Sequence, residues 1–212
     1  MRATRRCLPP TASFDPTHDC FIGLVLGQLL LGVLGVLAIT SEFSSGMIRA
    51  TFAVVPTRPL VLSAKAAVLG AVTLAAGETV AFAAFFAGQA ALKAPAPHAT
   101  LGQPGVLRAV LTAGAYPALI ALIGPGLGAL IRHTAGAICA LAGVLFVLPL
   151  LVVSPSLQNT SQNFLPHPMA NSLTAVKPLP HTLPPGLIFG LLCAYAMAAL
   201  AAGACALARR DA

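Results

Sequence analysis

Five long apolar runs, separated by short polar or Pro-rich stretches, dominate the chain. The first covers residues 21–40, with Gln28 and Thr40 as its only polar members. The second covers 66–92 and carries Glu78, and the third covers 106–131 with Arg108 near its start. The fourth, 135–153, and the fifth, 186–208, are uncharged. At about 1.5 Å of rise per residue, each run as a helix is long enough to cross a hydrocarbon layer of roughly 30 Å. None shows the two-residue alternation of an outer-membrane barrel strand. The first run is also too long for a signal peptide, and no small-residue cleavage site with a soluble domain follows it. The pattern therefore predicts an all-α, polytopic membrane protein with five transmembrane helices over these runs. Residues 1–20 stand apart as an atypical N-terminal segment, and 209–212 as a short tail.

Composition agrees with this pattern. The chain has 212 residues, 58% hydrophobic and 8% charged, with a mean hydropathy of +0.90. A soluble domain carries about a quarter charged residues, so a soluble globular enzyme is excluded. Disorder, which needs low hydrophobicity and high charge, is excluded too. The net charge of +7 comes from scattered Lys and Arg, with no basic stripe and no interleaved aromatics. That argues for basic loops facing anionic lipid rather than for a nucleic-acid partner. Counting these charges gives the topology. Arg49, Arg58, Lys65, Arg132, Arg209 and Arg210 fall on one side, expected to be cytoplasmic, with Lys93, Arg108 and Lys177 on the other. Arg2, Arg5 and Arg6 join that second side and bring the balance to six against six.

Small and helix-breaking residues mark the packing. Gly23/Gly27, Gly124/Gly128 and Gly186/Gly190 have the four-residue spacing that lets helices approach closely in lipid. Pro125 and Pro149 are expected to kink or loosen their helices. Cys139, Cys193 and Cys205 lie inside apolar runs and read as small buried hydrophobes. Cys7 and Cys20 flank a Pro-rich stretch. His18, Asp19 and Cys20 have no second ligand pair at zinc spacing, so no metal site is expected.

Three places hold candidate chemistry. From Ser41 to Pro59 the chain reads as a short amphipathic helix at the membrane surface. Ser41 is its N-cap, Glu42 lies in its first turn, and Pro56 and Pro59 stop it. Phe43, Met47 and Phe52 lie on its apolar stripe, and Glu42 and Arg49 lie two turns apart on a similar face. It fits either a lipid-surface anchor or a docking element. Residues 154–185 form a long Pro-rich connection in which 163–173 reads as a re-entrant or surface helix. Glu78 lies in mid-run, where an ionised carboxylate costs several kcal/mol by order of magnitude. It must be protonated, paired, or facing a wet cavity. No phosphate-binding loop, zinc-protease helix or nucleophile elbow occurs, and the five acidic residues are too dispersed for two-carboxylate catalysis. No catalysis is expected of the chain itself, and no cofactor.

The segment Thr40, Ser41, Glu42, Phe43, Gly46, Ile48, Arg49, Thr51, followed by Val55, Pro56, Arg58, Pro59 and then Lys65 in the next helix, resembles the ABC-2 type permeases of bacterial ATP-binding-cassette transporters. The resemblance continues at 127–138 and, more weakly, at 164–173, and it spans about residues 21–208. Such permeases have six transmembrane helices and pair as two copies with two cytoplasmic ATPase subunits. By this resemblance the first run matches the family's second helix, and residues 1–20 are unlike the family's first helix. It implies a plasma-membrane permease subunit, most often an exporter, with a cytoplasmic C-terminus and with ATP hydrolysis on a partner ABC ATPase. It also implies a second permease copy. Glu42, Phe43, Gly46, Met47, Arg49, Thr51, Phe52 and Arg58 would dock the ATPase. Two other classes fit the runs: a non-transporting scaffold or immunity-type membrane protein, and a proton-linked secondary transporter that uses Glu78.

Overall fold

The computed structural model describes residues 24–47, 58–91, 102–151, 164–175 and 182–209. Every regular element among them is helical. In chain order these are α1 (Leu24–Ser45), α2 (Arg58–Ala91), α3 (Val106–Ile131), α4 (Thr134–Ala142), a π-helical turn (Gly143–Val147), α5 (Leu148–Leu151), α6 (Pro166–Thr174) and α7 (Pro185–Arg209). Helices satisfy every backbone polar group within one segment, as a hydrocarbon solvent requires. Five spans are long and apolar enough to cross a membrane: those within α1, α2, α3 and α7, and the continuous stretch Thr134–Leu151. The chain is a multi-pass helical membrane protein.

Two boundaries differ from the expected ones. The first helix runs on through Ser41 to Ser45, so Ser41 is not the N-cap of a new helix. The Ser41 and Ser44 hydroxyls donate back to the carbonyls of Leu37 and Ser41, at 2.7 and 2.9 Å, as interior helical serines do. Gly46, at φ 71°, ends the turn in a left-handed conformation that glycine adopts cheaply. In turn, α2 begins at Arg58, well before residue 66. Pro59 lies in its first turn, where the missing N–H costs nothing. With 34 residues α2 is about 50 Å long, more than a bilayer core needs, so it tilts or projects.

The central helix is α3, against which α1, α2 and α7 all pack, whereas α1 and α2 touch each other little. Small residues make these approaches possible. On the α1 side, a Cβ at Gly124 would lie 2.6–2.8 Å from backbone atoms of Val36, Gly35 and Gly32. A Cβ at Gly35 would strike the Ala121 carbonyl. That carbonyl lacks its usual helical donor because Pro125, four residues on, has no N–H. Gly35 packs over it with no side chain between. Gly77 meets the Gly114 carbonyl across α2–α3, and Gly126 meets Ala199 and Gly203 across α3–α7. Of the expected pairs, Gly124/Gly128 is therefore an interface, but Gly27, Gly186 and Gly190 face open space. Gly23 lies outside the described residues.

Proline acts differently at its two expected positions. The third helix is one unbroken element through Pro117 and Pro125. Near Pro149 the helix changes hydrogen-bonding pattern, and the Leu148 N–H bonds to the Gly143 carbonyl in a π turn. Pro149 cannot donate to the Leu145 carbonyl, and the ladder widens just before it.

Inside and outside are both apolar. The core holds Val36, Tyr116, Ile120, Leu141, Leu145, Ile188 and Leu192. Large apolar side chains such as Leu34, Val68, Val72, Leu150 and Leu187 point outward, as suits a lipid solvent. Cys139 and Cys205 are exposed on this outer surface and Cys193 is half-buried, so the expected burial of the three does not hold. Short α6, within the stretch expected to be a re-entrant or surface helix, is embedded. Its Met169 and Leu173 are fully buried in the main core, and it packs against α3, α7 and the π turn.

Candidate functional site

The ends of α1, α3 and α7 and the beginning of α2 meet at one end of the bundle. Ile39, Leu62, Ala129 and Leu207, one from each helix, form a buried cluster with Phe43 and Ala204 packed on it. Two polar contacts lie over this cluster. Lys65 Nζ donates to Glu42 Oε1, tying the last turn of α1 to α2. The Arg132 guanidinium lies 5.5 Å from the centroid of the Phe43 ring, a cation–π distance. Arg132 is held there by a sharp chain reversal. It closes α3 at φ 58° with its N–H on the Gly128 carbonyl, and His133 then caps α4 by accepting the Gly136 N–H at Nδ1, 3.2 Å away.

This geometry sorts the residues expected to dock a partner. Glu42 and Phe43 lie on the last turn of α1 and make contacts within their own bundle. Gly46 ends that helix, and Met47 next to it is 59% exposed. Arg58 opens α2. Arg49, Thr51 and Phe52 lie outside the described residues, and so does the expected Glu42/Arg49 pairing. Within the structure Glu42 pairs with Lys65 instead. The missed contacts join residues 23 or more positions apart, beyond the reach of any helical spacing rule.

The intramembrane polar groups come next. Gln28 is buried between α1 and α3, where the Tyr116 hydroxyl donates to its Oε1. Tyr116, one of two tyrosines in the chain, was not expected as a polar site. A phenol in an apolar run is the available signal, because a buried Tyr seeks an acceptor. Glu78 lies on the α2 face toward α3. Its Oε2 is buried and has no hydrogen-bond partner. A Cβ at Gly114 would fall 2.7 Å from its Cδ, so the glycine makes room for the carboxyl group.

At the opposite end, α6 is pinned by three bonds. Arg108 donates to the Ala175 carbonyl at 3.1 Å, Thr112 to the Leu173 carbonyl at 3.0 Å, and Tyr195 to the Phe164 carbonyl at 3.1 Å. Arg108, read from sequence as a topology charge, is also a structural donor. Between α2, α3 and α7 lies an apolar groove of about 650 Å³, lined by Leu60, Ser63, Ala67, Leu122, Met197 and Ala201 among others. No group of three potential metal ligands occurs among the described residues, and His18, Asp19 and Cys20 lie outside them. Comparison with protein-family models, curated proteins and solved structures finds no match to this chain.

Proposed function

We propose that the chain is the transmembrane subunit of an ATP-driven ABC transporter of the ABC-2 type, most simply an exporter. A separate cytoplasmic ABC ATPase powers it, and a second permease copy completes the pathway. The observation that carries this reading is the segment Thr40–Pro59, whose residues resemble the loop by which such permeases meet their ATPase. Its first residues sit on the junction where four helix ends converge, a place from which a push on the segment reaches all four. Five membrane-crossing helices supply the required frame. In this reading the junction and the C-terminus face the cytoplasm and the membrane is the plasma membrane.

The test is co-purification of an ABC ATPase from membranes of the native host, with wild type and with Arg49→Glu at equal membrane abundance. Docking predicts at least about tenfold lower ATPase recovery for Arg49→Glu, the loss typical of an anchoring residue. Equal recovery removes Arg49 from docking and leaves the segment as a lipid anchor. Failure of wild type to retain any ATPase removes the permease reading. A second reading, a proton-linked transporter, is favoured by the unpartnered Glu78 oxygen. It predicts proton movement in vesicles without ATP.

A further inference from the structure

We propose that Glu42 and Lys65 form a clasp that sets whether α1 and α2 are held together or part at this end of the bundle, with Phe43 under Arg132 as its fixed side. This rests on the permease reading only for what would pull the clasp open.

Glu42 lies in the last turn of α1, the negative end of the helix dipole, where a carboxylate is unfavourable. The hydroxyls around it already bond back to their own helix. Nothing in α1 explains an acidic residue there, whereas Lys65 does. The pair is partly shielded, with side chains 16% (Glu42) and 30% (Lys65) exposed, so salt screens it less than an exposed pair.

Both α1 and α2 lean on α3 and have little contact with each other. Underneath lie Ile39 of α1 and Leu62 of α2, buried in the shared cluster. Parting the pair would open a path to Leu62. Phe43 lies under the Arg132 guanidinium, a contact between α1 and the end of α3 that does not involve the pair, so α2 is taken as the side that moves. A contact opposed by a helix dipole and lying over a small cluster is poised to open.

The test uses thiol labelling at Leu62→Cys in native membranes, with Cys7, Cys20, Cys139, Cys193 and Cys205 replaced. Glu42→Gln or Lys65→Gln should raise the N-ethylmaleimide labelling rate about tenfold, the signature of local opening. Lys65→Arg should keep the parent rate. The exchanged pair, Glu42→Lys with Lys65→Glu, should label at or below the parent rate, because a lysine now sits at the favourable end of α1. A role confined to helix stability predicts the opposite sign for Glu42→Gln, which removes an unfavourable charge and would protect Leu62. Unchanged or slower labelling in Glu42→Gln, or an exchanged pair that labels like the single variants, overturns the clasp. The readout is the labelling rate of this chain and not recovery of a partner, so its failure is separate from failure of the permease reading, which co-purification decides.

Discussion

Glu78 and Gly114 occupy one space across the α2–α3 contact, and this sets what each position tolerates. Glu78→Gln keeps the shape and the hydrogen-bonding capacity of the side chain, so membrane abundance and thermal midpoint should match wild type. Glu78→Lys adds length and a charge that costs about 3 kcal/mol in mid-membrane. It should lower both, with heating of detergent-extracted protein as the readout. A midpoint for Glu78→Gln as low as that for Glu78→Lys would mean that the acid itself is required. Glu78 was legible in the sequence because it is the one acidic residue within an apolar run. Gly114 was not legible, because a small residue matters only through what stands opposite. The same holds for Glu42. Its place near the membrane surface could be read, but its bond to Lys65 depends on how two helices return to one point.

At the scale of the element, α3 organises the bundle by being narrow on three sides. Gly124→Ala would press a methyl group into α1 backbone, which cannot rotate away as a side chain can. The expected cost is about 1–3 kcal/mol or more, the range for overpacking. Gly190→Ala enters open space and replaces a poor helix former, so it should be neutral or up to about 1 kcal/mol stabilising. Titration with denaturing detergent compares the two variants. Equal losses would mean that Gly190 faces a second copy, which the proposed pairing of permeases would provide. Both glycines belong to the same sequence pattern, four residues from another glycine, and that pattern does not tell an interface from a lipid-facing surface. Helix existence was legible because continuous apolar length has one solution in lipid. The ends were less so, since Ser41 and Pro59 each suit two positions on a helix.

For the whole molecule, the junction brings Lys65 and Arg132 to one end, while Arg108 marks the other. If the junction faces the cytoplasm, a cysteine at Thr57 in a cysteine-free background should resist an impermeant thiol reagent in intact cells. One at Gly102, which is exposed beside the start of α3, should label readily. The reverse pattern would invert the topology and remove the ATPase from reach of the segment after α1.

The sequence by itself determined that the chain is helical, that it has five runs long and apolar enough to cross a membrane, and the order in which they follow one another, but not their ends. Hydrocarbon leaves the backbone few choices, and a run of about 20 apolar residues declares itself locally. Only the tertiary structure decided which glycines are contacts, that Tyr116 bonds Gln28, that α6 is buried, and that Glu42 belongs to Lys65. These depend on which helix faces which. In lipid that choice is made by close van der Waals fit and a few polar bonds between distant residues, and no periodicity along one helix records it.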